Sequence, residues 1–118
     1  MVTTFRGIFL TSDNPSATVS FYREIAEFPL EEVDAGGYTY WRLDRDGVQV
    51  AIHDAAAFAE YASPPLAGSN LTHLYFHIDD YEDFVARLGE LGIEPEAIDD
   101  VVVTVADPDG RKVMFGTA

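Results

Sequence analysis

The sequence predicts an α+β fold built from two consecutive units that share one order of elements: strand, helix, then three strands. Three observations predict it. A short apolar strand precedes each of two stretches that have the apolar spacing of a helix. Strand-like runs separated by turn residues follow each helix. The whole order then recurs in the second half of the chain, and such a repeat decides how a fold is interpreted.

The first unit opens with an apolar strand over residues 5–10. Asn14 or Asp13 can cap the helix that follows, and Pro15 suits its first position. The helix should end near Ala26, because Pro29 cannot continue it. Its apolar positions recur at helical spacing at Thr18, Phe21, Tyr22 and Ile25.

Three strands complete the first unit. Gly36-Gly37 separates the first two, and the Asp46-Gly47 pair favours a tight hairpin between the last two. The predicted strands cover residues 30–33, 38–43 and 48–53. A connector follows over residues 54–70, with a short helix predicted at residues 55–61.

The second unit repeats the order, beginning with a strand over residues 71–78. Asp79-Asp80 caps a helix whose end is marked by Gly92, where a C-terminal glycine is expected. The apolar positions of this helix are Phe84, Val85, Leu88 and Leu91. The three strands that follow are predicted at residues 93–97, 101–106 and 112–116.

The length of 118 residues predicts a single domain, with one module over about residues 1–62 and the other over about 70–118. A hydrophobic fraction of 47% is enough to form a packed core. The absence of cysteine excludes disulfides, thiolate zinc sites and cysteine nucleophiles. No signal peptide and no apolar run of about 20 residues is visible, so we expect a cytoplasmic protein that does not enter a membrane.

The net charge of −14 restricts the possible partners. A phosphate backbone or an anionic membrane is bound by a basic surface, and the 7 basic residues against 21 acidic ones do not supply one. We therefore expect no nucleic acid and no membrane partner. A neutral or cationic small molecule fits this charge better than a polyanion.

Three motifs resemble the glyoxalase/bleomycin resistance/dioxygenase superfamily, also called the vicinal oxygen chelate superfamily. Phe21-Tyr22-Arg23 is similar to its first-helix motif, residues 73–80 to the strand that opens its second module, and residues 107–115 to its closing hairpin. Together the motifs span nearly the whole chain in the right order. One departure is Glu27, where the family usually has the glycine that ends the first helix.

The resemblance implies two tandem βαβββ modules that form a curved, eight-stranded mixed sheet with the helices outside. It also implies a homodimer, because modules of this family often complete their cup-shaped sheets by pairing. Members include glyoxalases, dioxygenases, epimerases, fosfomycin-inactivating enzymes and drug-sequestering proteins. The fold alone therefore does not decide the function, and the site residues must.

Enzymes of this family usually hold a divalent metal at four strand positions, which here match Arg6, Ala51, His73 and Met114. Only His73 is a suitable ligand: alanine has no donor atom, arginine repels a cation, and a thioether suits softer ions. We therefore expect no metal ion and no other cofactor. Two alternatives stay open: a metal site rebuilt with other histidines, or a metal-free enzyme in which His73 or His77 is the general base.

Strand alternation places aromatic and polar side chains on the face that should line the cup. Phe58 and Tyr61 lie in the connector, where a lid could form. The predicted ligand-binding residues are Arg6, Tyr38, Tyr40, His53, His73, Tyr75, His77 and Met114. Flat rings with polar edges suit aromatic or amphipathic compounds. We expect a protein that sequesters such a compound; the alternative is a lyase, isomerase or dioxygenase of the same superfamily.

Overall fold

The computed structural model describes residue 5, residues 7–58 and residues 74–117. The chain forms two compact units, Met1–Ala67 and Gly68–Ala118, and each is described by itself. The prediction of one domain over residues 1–118 stays a prediction. Residues 71–73 of the predicted fifth strand, and the connector beyond residue 58, lie outside the described residues.

The first unit contains a mixed four-stranded sheet. The strands run in the order β1-β4-β3-β2, with β1 parallel to β4 and the other neighbours antiparallel. The elements are β1 (Gly7–Ser12), α1 (Pro15–Glu24), β2 (Glu31–Ala35), β3 (Tyr38–Arg45), β4 (Val48–Asp54) and α2 (Ala55–Phe58). The predicted short helix after β4 is therefore confirmed over its first four residues.

The second unit has the same architecture. Its strands run in the order β5-β8-β7-β6, with β5 parallel to β8. The elements are β5 (Leu74–His77), α3 (Tyr81–Glu90), β6 (Ala97–Ile98), β7 (Val102–Ala106) and β8 (Lys112–Gly116). The predicted α+β class and the two βαβββ modules are confirmed, and the eight strands pair as two four-stranded mixed sheets.

The start and the end of α1 follow from local chemistry. Asn14 caps the helix by accepting a hydrogen bond from the backbone N–H of Ala17 at 3.2 Å, and Pro15 takes the first position. Glu27, just beyond the helix, has a φ of +51°. That left-handed backbone is the reason glycine is usual at this point, because an L side chain is strained there. The departure from the family pattern changes the residue and not the backbone.

The end of α3 accounts for the short length of strand β6, for which the sequence predicts residues 93–97. Gly92 has a φ of +69°, and the N–H of Ile93 donates to the carbonyl of Leu88 at 2.9 Å, which closes the helix. The backbone is therefore engaged where the predicted strand over residues 93–97 should begin, and Pro95 has no N–H to donate. Strand β6 accordingly covers only Ala97–Ile98.

One face of each sheet is packed by the helix of its own unit. In the first unit, Leu10 and Ile52 are buried, and α1 packs on β1 and β4. In the second, Phe115 stacks on Phe76 at 5.4 Å and contacts Phe84 of α3 at 4.5 Å, measured between ring centroids. These are the faces that alternation predicts to be apolar. The opposite faces carry the polar and aromatic residues of the predicted site.

No helix within residues 7–58 and 74–117 is long and apolar enough to cross a bilayer.

Candidate functional site

Four aromatic side chains of the first unit surround the imidazole of His53. The ring of Tyr40 stacks on it nearly in parallel, at 4.9 Å and 9°. The rings of Phe58, Phe9 and Tyr38 lie at 4.8, 5.3 and 5.7 Å from it. We call Phe9, Tyr38, Tyr40, His53 and Phe58 the His53 cluster. The face of this sheet opposite α1 therefore carries a group of aromatic rings packed around one titratable side chain.

Strand register brings these residues together. His53 lies opposite Tyr40 on the antiparallel neighbour β3 and opposite Thr11 on the parallel neighbour β1. Because partner residues in a ladder share a face, Phe9 and Tyr38, two positions away on their strands, point to the same side. Phe58 arrives from α2, which begins directly after β4.

The two ring nitrogens of His53 differ in their surroundings. Nδ1 shares a hydrogen bond with the hydroxyl of Tyr38 at 2.8 Å. Nε2 is buried and has no hydrogen-bond partner among the described residues. A buried polar atom without a partner costs about 1–3 kcal/mol, and such atoms in native proteins often mark functional positions. His53 is only 7% exposed, so solvent does little to relieve this cost.

Burial lowers the pKa of the His53 imidazole below its ordinary value, because the charged form loses hydration. The side chain is therefore neutral at physiological pH. A neutral imidazole fixed at Nδ1 by a tyrosine offers Nε2 either as a hydrogen-bonding group or as a base.

The lowered pKa predicts how stability depends on pH. Below about pH 6.5 the unfolded chain protonates this histidine while the folded protein does not, so the free energy of unfolding should fall as the pH drops. Urea denaturation between pH 7.5 and 5.5 measures the slope. His53→Gln is the matched control, since glutamine is neutral throughout, and its slope should be shallower. Equal slopes for the two proteins would contradict the prediction.

The second unit places Tyr75, His77 and Met114 on the face opposite α3. Tyr75 lies opposite Met114, and His77 lies opposite Gly116. A Cβ at Gly116 would fall 2.4 Å from the hydroxyl oxygen of Tyr75, so glycine leaves space for that ring. Tyr75 is 45% exposed and His77 is exposed as well. This face is more open than the His53 cluster.

The structure thus assembles part of the predicted site within each unit. Tyr38, Tyr40 and His53 lie together in the first, and Tyr75, His77 and Met114 share a face in the second. Arg6, His73 and Tyr61 lie outside the described residues. The sequence reasoning did not select Phe9, although its place in an alternating strand was a signal; the parallel register with β4 is what brings it beside His53.

Two of the four positions that the resemblance assigns to a metal, Ala51 and Met114, lie among the described residues, and neither carries a donor suited to a divalent ion. Ala51 is fully buried and has no donor atom, and Met114 offers only a thioether. On the face of Ala51, the first residue of β1 is Gly7, where a Cβ would fall 1.9 Å from the carbonyl oxygen of Gln49. That position cannot accommodate a ligating side chain. Within the described parts of the chain, no three His, Asp or Glu side chains are grouped to hold a metal.

Comparison with protein families gives one match that covers most of the chain. The model of a family described as Glyoxalase-like domain matches residues 7–115. No curated protein matches the chain.

Three solved structures resemble the chain along nearly its whole length. A glyoxalase-related enzyme from Fulvimarina pelagi has a TM-score of 0.74 at 17% identity, covering 98% of this chain and 88% of that one. A glyoxalase/bleomycin resistance protein/dioxygenase from Nocardioides has a TM-score of 0.71 at 19%, covering 98% and 83%. A lactoylglutathione lyase from Agrobacterium tumefaciens has a TM-score of 0.67 at 20%, covering 98% and 93%. At these identities the likeness shows the fold.

Proposed function

The chain belongs to the glyoxalase-like domain family of the glyoxalase/bleomycin resistance/dioxygenase superfamily, and we propose that it is a binding protein that sequesters a small aromatic or amphipathic compound without a metal ion. The observation that carries the proposal is the His53 cluster. It offers flat rings for stacking and one buried nitrogen without a partner, which together suit an aromatic ligand with a polar group.

Two further features support binding rather than metal chemistry. Neither Gly7 of β1 nor Ala51 of β4, which lie on the same sheet face as the cluster, carries a metal donor. The net charge of −14 attracts cations over long range, so a cationic group on the ligand is compatible with the protein's field. Nucleic acid and anionic membrane lipids carry negative charge, which this net charge repels.

The proposal also includes the oligomeric state and the cellular location of the protein. We expect a homodimer in the cytoplasm, in keeping with the pairing that is frequent among modules of this fold. The half-exposed rings of Phe9 and Tyr75 are apolar surface that a partner subunit or a ligand could cover.

Titration calorimetry with a panel of aromatic and cationic compounds is expected to show saturable binding, with the compound recovered unchanged. Tyr40→Ala should weaken that binding about tenfold, because it removes the ring that stacks on His53. Thr39→Ala, an exposed neighbour on the opposite face of β3, is the matched control and should bind normally. Calorimetry is a better readout than tryptophan fluorescence, because Trp41 lies on that opposite face, away from the cluster.

Equal affinity in Tyr40→Ala and the unmodified protein would remove the His53 cluster from the proposal. Recovery of a converted compound would favour an enzyme over a sequestering protein.

The second candidate is an enzyme: a lyase, isomerase or dioxygenase, metal-dependent through rebuilt ligands or metal-free with His73 or His77 as base. The likeness in fold to a lactoylglutathione lyase favours it. Elemental analysis after expression with Zn²⁺, Ni²⁺, Mn²⁺ or Fe²⁺ separates the two classes. About one ion per chain, lost on His73→Ala, would support the metal enzyme. Turnover abolished by His77→Ala without weaker binding would support the histidine base.

A further inference from the structure

The tautomer of the neutral His53 imidazole decides which chemical group the unpartnered Nε2 can bind. In a neutral imidazole one nitrogen carries the proton and the other is an acceptor. If Tyr38 donates to Nδ1, then Nε2 carries a buried N–H without an acceptor. If Nδ1–H donates to the hydroxyl oxygen of Tyr38, then Nε2 is a bare lone pair.

We expect the second arrangement in the ligand-free protein. Among buried backbone groups of native proteins, N–H groups without an acceptor are rarer than carbonyls without a donor. Tyr38 can accept the proton of Nδ1, because its hydroxyl both donates and accepts. The buried Nε2 lone pair is then the atom that lacks a partner, and it requires a hydrogen-bond donor.

We propose that Nε2 of His53 accepts a hydrogen bond from the hydroxyl group of an aromatic ligand, so that the bound compound belongs to the phenol class. This inference rests on the proposed function and names its ligand chemistry. A phenol combines a flat ring, which Tyr40 and its neighbours can stack against, with a hydroxyl that donates in the ring plane. An aliphatic alcohol lacks the ring, and an aromatic ether lacks the donor.

The net charge of the protein and the exposure of the rings beside His53 are both compatible with a phenol as the ligand. The phenolate form is disfavoured beside a chain of net charge −14, so the ligand keeps the proton that it shares with Nε2. The covering ring of Phe58 belongs to α2, a helix of four residues with no buried side chain, and Phe9 is 45% exposed. A ligand that displaced these two rings would not open the core, which lies on the other face of the sheet.

The test uses para-cyanophenol and its methyl ether, para-methoxybenzonitrile, as matched probes in calorimetry with the full-length protein. The phenol is expected to bind about tenfold more tightly, the value of one hydrogen bond to a buried acceptor. His53→Phe keeps a flat ring and removes the acceptor, so the phenol and the ether should then bind this variant with equal affinity. Tyr38→Phe removes the hydroxyl that accepts from Nδ1–H. The proton can then move to Nε2, and the preference for the phenol over the ether should fall.

Imidazole nitrogen NMR of the ligand-free protein gives a readout that needs no ligand. We expect the resonances of a neutral ring protonated at Nδ1, and a shift of the Nε2 resonance when the phenol is added. In Tyr38→Phe, the population protonated at Nε2 should rise, an effect that a purely structural role for Tyr38 would not produce.

The outcomes separate this inference from the function on which it rests. If the ether binds as tightly as the phenol, the hydroxyl inference is wrong and the aromatic-binding function stands. If neither probe binds while other aromatic compounds do, the phenol class is wrong. If no aromatic compound binds, the proposed function is wrong as well. Protonation at Nε2 in the ligand-free protein would overturn the inference directly.

Discussion

Replacing Asp107 with alanine is expected to lower the free energy of unfolding by about 3–5 kcal/mol, measured by urea denaturation. The Asp107 side chain is fully buried in the turn between β7 and β8. One carboxylate oxygen accepts from Nη1 of Arg111 at 2.8 Å, and the other accepts from the backbone N–H groups of Asp109 and Arg111 at 2.9 Å. The substitution leaves a guanidinium that is 7% exposed without this carboxylate.

Asp109→Ala is the matched control in the same turn. Its carboxylate approaches the same guanidinium at 3.3 Å and is 16% exposed, so we expect a loss of about 1 kcal/mol. A double-mutant cycle of Asp107→Ala with Arg111→Met should show strong coupling, because removing both charges leaves neither buried alone. A loss below about 1 kcal/mol for Asp107→Ala would show that the turn relaxes and hydrates the arginine.

The Asp107–Arg111 pair also changes how the closing motif is interpreted. Residues 107–115 resemble a family signature, and the structure shows what its first residues do: they tie the β7–β8 turn by a buried ion pair. Phe21 and Tyr22 of the first-helix motif likewise pack in the core, at 8% and 1% exposure. These motifs therefore identify the fold, and the chemistry of the site depends on other residues.

Much of the fold could be predicted because its signals are local. Asn14 and Asp80 cap the helices that the sequence assigns to them, each by a hydrogen bond to a backbone N–H three residues later. The Asp46-Gly47 hairpin has both residues at positive φ, as a two-residue type I′ turn requires. Each of these features depends only on residues that are neighbours in the chain.

The site could be predicted only in part because it depends on register between distant strands. Alternation indicates that Tyr38, Tyr40 and His53 share a face. It does not reveal that β1 lies parallel to β4 with Phe9 opposite Ala51, which adds a ring to the cluster. The buried, unpartnered Nε2 of His53 is a result of three-dimensional packing and leaves no trace in the sequence pattern.

Gly7→Ala is expected to destabilise the first unit by about 3 kcal/mol and to weaken aromatic binding as well. A Cβ at this position would lie 1.9 Å from the carbonyl oxygen of Gln49 and 2.9 Å from its backbone nitrogen. No change of rotamer relieves a clash with backbone atoms, so β1 must move away from β4. Phe9 is carried by the same strand, and its ring would then leave its place 5.3 Å from His53.

Gly89→Ala tests whether any glycine substitution has this effect. A Cβ at Gly89 meets no atom within 4 Å, and the residue lies inside α3, so alanine should stabilise the protein by about 0.5–1 kcal/mol. Urea denaturation of both variants, with calorimetry of the ligand identified for the unmodified protein, checks the pair. If Gly7→Ala is as stable as the unmodified protein, β1 does not approach β4 this closely, and position 7 could then carry a metal-ligating side chain after all.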